Sequence, residues 1–152
     1  MAKPEVDTTQ AHEGPVEDAL DRVTEPFRMI PDYRNQYEHL IELGDRLPKE
    51  LEGEGEATTT KIQRCVSEAW LIYRRDGERF HFTGESDAQI VRGLLNVLVE
   101  IFSGRTGEEI NSVSFEELKQ QINMERLLSP GRQNGFEGAF ELVQELSAGD
   151  LP

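Results

Sequence analysis

The chain contains one cysteine, Cys65, and this residue is the strongest candidate for chemistry. A single cysteine cannot form an internal disulfide, and one cysteine with three scattered histidines (His12, His39 and His81) does not make a standard zinc site. What remains is the chemistry of a free thiol, which reacts as a nucleophile or carries sulfur. Free cysteines are also often inert buried residues, so the residue type alone does not decide between the two.

The sequence around Cys65 favours the reactive alternative. Lys61 and Arg64 place positive charge nearby, of the kind that activates a thiol, although Glu68 partly offsets it. Cys65 also lies between an acidic stretch at residues 48–60 and the first clear strand. Loops carried by a rigid sheet commonly present reactive groups, so this position is typical of a functional cysteine.

The elements that must position Cys65 begin with a hairpin. Residues 68–75 and 78–84 are rich in aromatic and β-branched side chains, which predicts two strands. Asp76-Gly77 between them is a favoured pair for a tight type I′ turn. Residues 61–64 are expected to add a short third strand, which gives a small antiparallel sheet.

Helices are predicted both before and after this sheet along the sequence. Residues 32–47 place Tyr33, Tyr37, Leu40, Ile41 and Leu47 on one face at the helical period. Residues 90–102 form a wide apolar stripe and are expected to be the central helix, and residues 136–146 are expected to be the last. Capping boxes or N-caps are predicted at Ser86, Thr106, Ser114 and Ser129. The fold class is therefore α+β, a three-stranded antiparallel sheet packed against several helices.

The charge of the chain excludes several kinds of partner. Acidic residues outnumber basic ones 30 to 16 over 152 residues, and the net charge is −14. Such a chain is a poor ligand for nucleic acid or for an anionic membrane surface, because both need basic patches. No segment resembles a signal peptide or a membrane-spanning helix, so a cytoplasmic location is expected.

The acidic residues are concentrated in two segments. Residues 1–27 carry seven acidic and two basic side chains, and residues 48–60 carry four and one. Both are short of large apolar residues, so the first is predicted to be a disordered tail and the second a mobile loop. The folded domain is then expected over residues 28–152.

Four motifs, in order along the chain, resemble the SufE-type sulfur acceptors. The central one is Cys65-x-Ser67-x-x-Trp70 followed by the hairpin, and the others lie at residues 41–48, 86–94 and 128–136. The resemblance covers residues 28–147. It departs from the family pattern beside the cysteine, where the family usually has glycine and glutamine and this chain has Arg64 and Val66. Glycine would allow unusual backbone angles there, and Arg64 is expected to remove that freedom.

The resemblance implies a sulfur carrier rather than a stand-alone enzyme. In the family, the cysteine accepts sulfur from the persulfide of a cysteine desulfurase (SufS- or CsdA-like) and relays it to an iron–sulfur cluster scaffold. The carrier itself then needs no cofactor and no metal, because pyridoxal phosphate belongs to the desulfurase. Docking to either partner is expected to be transient, and the chain is expected to be a monomer or a weak homodimer.

The resemblance also implies a set of residues around Cys65. An apolar pocket is expected to receive the cysteine between deliveries, with Trp70, Leu71, Leu94 and Phe136 as candidate walls. The candidate supporting or partner-binding residues are Arg64, Ser67, Trp70, Asp87 and Arg132.

Two other functions compete with sulfur acceptance. One is an adaptor that keeps the family fold and has lost sulfur acceptance, since the residues beside the cysteine are altered. The other is a hydrolase or transferase in which Cys65 works with His39 or His81. No local signature of such an enzyme is present, His39 is expected on a polar helix face, and His81 is expected on the exposed face of a strand.

Overall fold

The structure is a computed structural model that describes residues 14–53 and 55–148. Eleven elements lie in this part of the chain. In order they are α1 (Val16–Met29), α2 (Tyr33–Asp45), β1 (Thr58–Lys61), β2 (Ala69–Asp76), β3 (Arg79–Ser86), α3 (Gln89–Phe102), β4 (Arg105–Thr106), α4 (Gly107–Ile110), α5 (Phe115–Gln121), α6 (Met124–Leu127) and α7 (Pro130–Ala148).

The sheet is antiparallel with the strand order β1-β2-β3-β4. The β2–β3 hairpin is its longest pairing and runs from Ala69 opposite Ser86 to Asp76 opposite Arg79. The α+β class is confirmed, but the expectation of three strands is wrong, because the two-residue β4 adds a fourth beside β3. The strand that precedes the cysteine is also earlier than predicted. It spans Thr58–Lys61 rather than residues 61–64, and so begins within the segment predicted to be a loop.

The hairpin turn differs from the predicted type. Asp76 pairs with Arg79, so Gly77 and Glu78 are the two turn residues. A type I′ turn needs positive φ at both positions. Gly77 has φ +65°, whereas Glu78 is not among the described residues with positive φ. This pattern corresponds to a type II′ turn, in which glycine takes the first position.

Helix α3 is the centre of the core. Eleven of its residues are buried, as its apolar stripe predicts. It crosses α2 at very short range, because a Cβ added to Gly93 would lie 2.0 Å from the backbone oxygen of Leu40. Gly93 therefore permits the two helix backbones to touch.

Ser86 does not cap α3 as predicted. It is the last residue of β3, and its hydroxyl donates to the backbone oxygen of Glu68 (2.7 Å) and accepts from the backbone N–H of Ala88 (3.1 Å). Gln89 does not reach back either, since its amide donates to the backbone oxygen of Ile41 and to the Asp45 carboxylate. Both side chains join separate segments, which a local capping pattern cannot reveal.

The other predicted caps have physical counterparts. Thr106 forms a full capping box with Glu109, and the Ser114 hydroxyl accepts from the backbone N–H of Glu117. The Ser129 hydroxyl accepts from the backbone N–H of Arg132 at 3.4 Å. These motifs were predictable because donor and acceptor lie within one helical turn.

The prediction of disorder over residues 1–27 is wrong where the structure describes them. Residues 16–27 belong to α1, which buries one side and exposes its acidic residues. The buried apolar side chains are Val16, Ala19, Leu20, Val23 and Phe27. Their helical spacing is hidden in the sequence by the high acidic content of the same segment. Residues 1–13 lie outside the described residues.

Helix α2 is confirmed, with Asp32 as its N-cap, but its buried face is rotated from the predicted one. Gln36, Leu40 and Leu43 are buried, whereas Tyr33 and Tyr37 are 51% and 39% exposed. The predicted buried face included the two tyrosines because their rings have a large apolar area.

Strand β3 is buried on both faces, contrary to the prediction that His81 lies on an exposed one. His81 is 9% exposed and Thr83 is 2% exposed. The segment predicted to be a mobile loop covers them, since Thr83 donates to the backbone oxygen of Pro48, and Gly53 approaches the His81 ring. Arg74 of β2 also donates to the backbone oxygens of Glu52 and Gly55, at 2.8 and 2.9 Å.

Candidate functional site

Cys65 lies at the middle of a loop that joins two paired strands. We call residues 62–68, between β1 and β2, the cysteine loop. Its ends are fixed, because Lys61 pairs with Trp70 and the backbone N–H of Ile62 donates to the backbone oxygen of Ala69 at 2.9 Å. Ile62 is also 3% exposed and anchors the loop in the core. The sheet thus holds both ends of the loop, as the sequence predicts.

The cysteine loop rests on a row of glycines in α7. Gly131, Gly135 and Gly138 recur at helical spacing on one side of the helix. A Cβ added to Gly135 would lie 3.1 Å from Cα and 3.3 Å from Sγ of Cys65. The corresponding distances are 2.9 Å from Gly131 to a methyl of Val66 and 3.0 Å from Gly138 to the backbone oxygen of Gln63. We call these three residues the glycine row.

The Cys65 side chain is half-buried at a small apolar cavity between the loop, α3 and α7. The cavity has room for about 10 Å³, close to the minimum for one water molecule. Leu94 and Phe136 contribute to its wall, whereas Trp70 and Leu71 are not among the lining residues. The full lining is Ile62, Cys65, Val66, Val91, Leu94, Leu95, Arg132, Gly135, Phe136 and Ala139.

Arg132 is the charged member of this lining, and it contacts the cysteine loop directly. Its Nη1 donates to the Ser67 hydroxyl at 3.2 Å. The structure therefore brings together two residues that lie 65 positions apart and that the motifs single out. This bond fixes the side of the loop that follows Cys65.

Arg64 fixes the side of the loop that precedes Cys65. Its Nη2 is 2.7 Å from a carboxylate oxygen of Glu141, and its Nη1 donates to the Asn134 amide oxygen at 3.4 Å. Arg64 has φ +67°, in the left-handed region that favours glycine. The arginine thus adopts the backbone conformation for which the family's glycine would be suited, and it does so at a cost of about 1–2 kcal/mol.

The positive charges expected to act on Cys65 are paired with carboxylates. Arg64 pairs with Glu141, and Lys61 lies 3.9 Å from a carboxylate oxygen of Glu68. Glu68 also anchors the exit of the loop, because its backbone oxygen accepts from the Ser86 hydroxyl and the backbone N–H of Asp87. Asp87 is therefore adjacent to the cysteine loop through its backbone.

The histidines proposed for a hydrolase do not line the Cys65 cavity. His39 lines a separate cavity of about 660 Å³ between α1, α2 and α3, and the two cavities share no lining residue. Burial lowers the pKa of His39, and the nearby Arg46 lowers it further. His81 lies in β3, and His12 is outside the described residues. The described residues thus supply no cysteine–histidine pair at this cavity.

Two kinds of feature are absent from residues 14–53 and 55–148. These residues contain no group of three or more histidine, cysteine, aspartate or glutamate side chains arranged to hold a metal ion. No helix in this part of the chain is both long and apolar enough to cross a membrane.

The cysteine loop, its glycine row and the α+β scaffold define a protein that carries its one thiol on a loop between paired strands. Residues 21–147 match the SufE family, described as an Fe-S metabolism associated domain. The chain therefore belongs to the SufE family. The match begins seven residues before the resemblance at residues 28–147, within α1.

Curated relatives carry the same family name. Two uncharacterized SufE-like proteins, from Rhizobium meliloti and Rhizobium etli, are each 32% identical, over 138 and 131 residues. These alignments cover 88% and 84% of this chain and 98% and 88% of the relatives. An uncharacterized SufE-like protein of Synechocystis is 30% identical over 125 residues, covering 82% of this chain and 77% of that protein.

A solved structure shares the fold. The solution structure of a hypothetical protein from Thermus thermophilus matches with a TM-score of 0.70 and 18% identity. The match covers 86% of this chain and 93% of the other. At this identity, the comparison supports the fold alone.

Glu141 and the glycine row are the parts of the site that sequence reasoning missed. One available signal of close packing is the Asn134-Gly135 pair, since both residues disfavour a helix interior. The recurrence of glycine at residues 131, 135 and 138 was a further signal. Nothing in the sequence indicates that Glu141 pairs with Arg64, 77 positions away.

Proposed function

We propose that the protein accepts persulfide sulfur from a cysteine desulfurase on Cys65 and relays it for iron–sulfur cluster assembly. One observation carries the proposal. The thiol lies at the middle of a loop whose ends are held by paired strands, and it packs against an apolar cavity and a helix glycine. Family membership, with its association with Fe-S metabolism, points the same way.

The proposed transfer is a thiol exchange. The Cys65 thiolate attacks the outer sulfur of the partner's persulfide, so a new S–S bond forms at Cys65 Sγ. The bond between the two partner sulfurs breaks, and the partner's cysteine leaves as a thiolate that takes up a proton. Sulfur moves with no net oxidation, so the step needs no further redox reagent. Pyridoxal phosphate, in this proposal, belongs to the desulfurase that makes the first persulfide.

The apolar cavity suits the resting part of this cycle. A persulfide on a carrier is vulnerable to other thiols, which attack either sulfur. In the position that the structure shows, which we call closed, the half-buried Cys65 packs against apolar side chains of α3 and α7, such as Leu94 and Phe136, and the free space beside it is smaller than a small-molecule thiol. Transfer in either direction then needs the loop to leave α7. The second transfer, to a scaffold, repeats the same exchange with Cys65 as the leaving thiolate.

The test is an intact-mass measurement on purified protein mixed with the cysteine desulfurase of its own organism and L-cysteine. We expect an added mass of one or more sulfur atoms, which a reductant removes and Cys65→Ser abolishes. The matched control, Ser112→Ala, changes a hydroxyl elsewhere on the surface and should still acquire the adduct. An unmodified Cys65 beside a stimulated desulfurase would instead identify an adaptor.

A further inference from the structure

We propose that Arg64, Glu141 and Asn134 form a latch that holds the cysteine loop closed on α7. Arg64 is then a positioning residue for Cys65, acting from the adjacent position through its side chain. The proposal concerns the position of the loop, and its meaning for sulfur delivery rests on the proposed function.

The side chain of Arg64 extends from the cysteine loop and contacts α7. The guanidinium contacts Glu141 at 2.7 Å and Asn134 at 3.4 Å, which lie seven positions apart on α7. The same side chain lies over the glycine row, since a Cβ added to Gly138 would be 3.3 Å from its Nε. Arg64 therefore spans two turns of α7 and cannot keep these contacts once the loop moves away.

The backbone conformation of Arg64 disfavours the closed loop, whereas its side-chain contacts favour it. At φ +67° an arginine is disfavoured roughly ten-fold relative to a right-handed conformation, and it relaxes when the loop opens. The ion pair is partly exposed, at 41% for Arg64 and 51% for Glu141, so it favours the closed loop by about five-fold at most. The two effects are opposite and similar in size.

Because the backbone cost of Arg64 and the gain from its ion pair nearly cancel, the latch adds little to the free energy needed to open the loop. The Arg132–Ser67 bond and the packing on Gly135 remain when the latch opens, so they supply the rest of the preference for the closed position. A cationic side chain of a docked partner that pairs with Glu141 would free Arg64 and shift the loop toward the open state. The strongly acidic composition of the chain favours a cationic partner face of this kind.

The experiment measures how fast iodoacetamide alkylates Cys65 in the folded protein, with no desulfurase present. The reagent is neutral, so surface charge does not steer it, and the single cysteine gives one product by intact mass. Glu141→Gln and Arg64→Ala each remove the ion pair and are expected to raise the rate about two- to five-fold. Arg64→Lys, which keeps the charge and loses the planar fork, should fall between wild type and Arg64→Ala.

Two controls separate the latch from a direct effect of charge on the thiol. Glu137→Gln removes the same charge one turn earlier on α7 and should leave the rate unchanged. In the Arg64→Ala background, Glu141→Gln should have no further effect, because the pair is already lost. Salt should raise the wild-type rate by screening the pair and leave the Glu141→Gln rate flat.

The latch is overturned if Glu141→Gln alkylates at the wild-type rate. It is also overturned if Glu141→Gln gives the same increase in the wild-type and Arg64→Ala backgrounds, which would show that Glu141 acts without Arg64. Circular dichroism of each variant confirms the fold. Since no sulfur donor is present, a failed sulfur adduct would reject the proposed function and leave this result standing.

Discussion

Among the contacts that depend on glycine in the described residues, two have different roles. At the α2–α3 crossing, Gly93 and Gly44 permit close approach of backbones, surrounded by fully buried apolar side chains such as Leu40. At the contact of the cysteine loop with α7, the glycine row receives a loop that is held by partly exposed polar side chains.

The difference lies in what happens when each contact is broken. Separating α2 from α3 would expose core side chains to water, which is costly per unit of apolar area. Lifting the cysteine loop exposes a small apolar cavity and replaces exposed polar contacts with water, which costs far less. The first contact is scaffold, and the second is suited to repeated opening.

The largest expected effect breaks the scaffold contact. Gly93→Ala places a methyl 2.0 Å from the Leu40 backbone oxygen, so α2 and α3 must separate. We expect a loss of about 3 kcal/mol or more in the free energy of unfolding, measured by urea denaturation. Glu145→Ala, at an exposed position on α7, serves as the control with little expected loss. A near-native stability for Gly93→Ala would show that the crossing tolerates adjustment.

The next effect moves the loop contact without breaking the scaffold. Gly135→Ala places a methyl within 3.1–3.4 Å of three Cys65 atoms, and the loop can yield where a helix backbone cannot. We expect alkylation of Cys65 to rise about ten-fold while the free energy of unfolding changes by less than about 1 kcal/mol, helped by the better helix propensity of alanine. A large loss of stability with unchanged alkylation would show that the loop contact does not yield more readily than the α2–α3 crossing.

A smaller effect tests the other clamp on the loop. Ser67→Ala removes the acceptor for Arg132 Nη1, and a single hydrogen bond of this kind contributes about 1 kcal/mol. The alkylation rate of Cys65 should rise about five-fold, with little change in thermal unfolding. Ser112→Ala alters an exposed hydroxyl that donates to the backbone oxygen of Glu109, and it should leave alkylation unchanged. Equal alkylation rates for wild type and Ser67→Ala would show that the Arg132–Ser67 bond does not hold the loop closed.

The smallest expected effect is the pH dependence of stability that His39 of α2 contributes. Burial lowers the pKa of His39 in the folded chain below its usual value of about 6.5. The unfolded chain therefore binds this proton more readily, so the contribution of His39 to stability is full above about pH 6.5 and declines as the pH falls below that value. Wild type should lose more thermal stability than His39→Gln between about pH 7.5 and pH 5.5. Parallel losses would show that other groups govern this range.

The sequence was most informative where cause and effect lie within a few residues. The hairpin, the stripe of α3 and the caps at Thr106 and Ser114 follow from local periodicity and hydrogen bonding. Cys65 was placed at the end of the sheet by the same reasoning. The family motifs singled out Arg132 as a supporting or partner-binding residue, and the structure gives it a bond to the cysteine loop that local chemistry alone would not predict.

The sequence was least informative where distant segments meet. His81 is buried because residues 48–53 fold over β3, and Ser86 bonds to Glu68 rather than capping the next helix. Arg64 adopts a glycine-like conformation in a loop where Glu141 and Asn134 contact its side chain. Each outcome involves a contact between remote positions, which no local pattern encodes.

The anchoring of the cysteine loop also sets how far the thiol can travel. Ile62 and Ala69 are joined by a backbone hydrogen bond, and Cys65 lies three positions after Ile62. A fully extended chain advances about 3.3–3.6 Å per residue, so Cys65 can swing out by about 10 Å. Under the proposed function, a sulfur donor must therefore bring its own reacting atom to within that radius of the sheet edge. The short tether means that the geometry of docking, rather than the length of the loop, would decide which partners can reach Cys65.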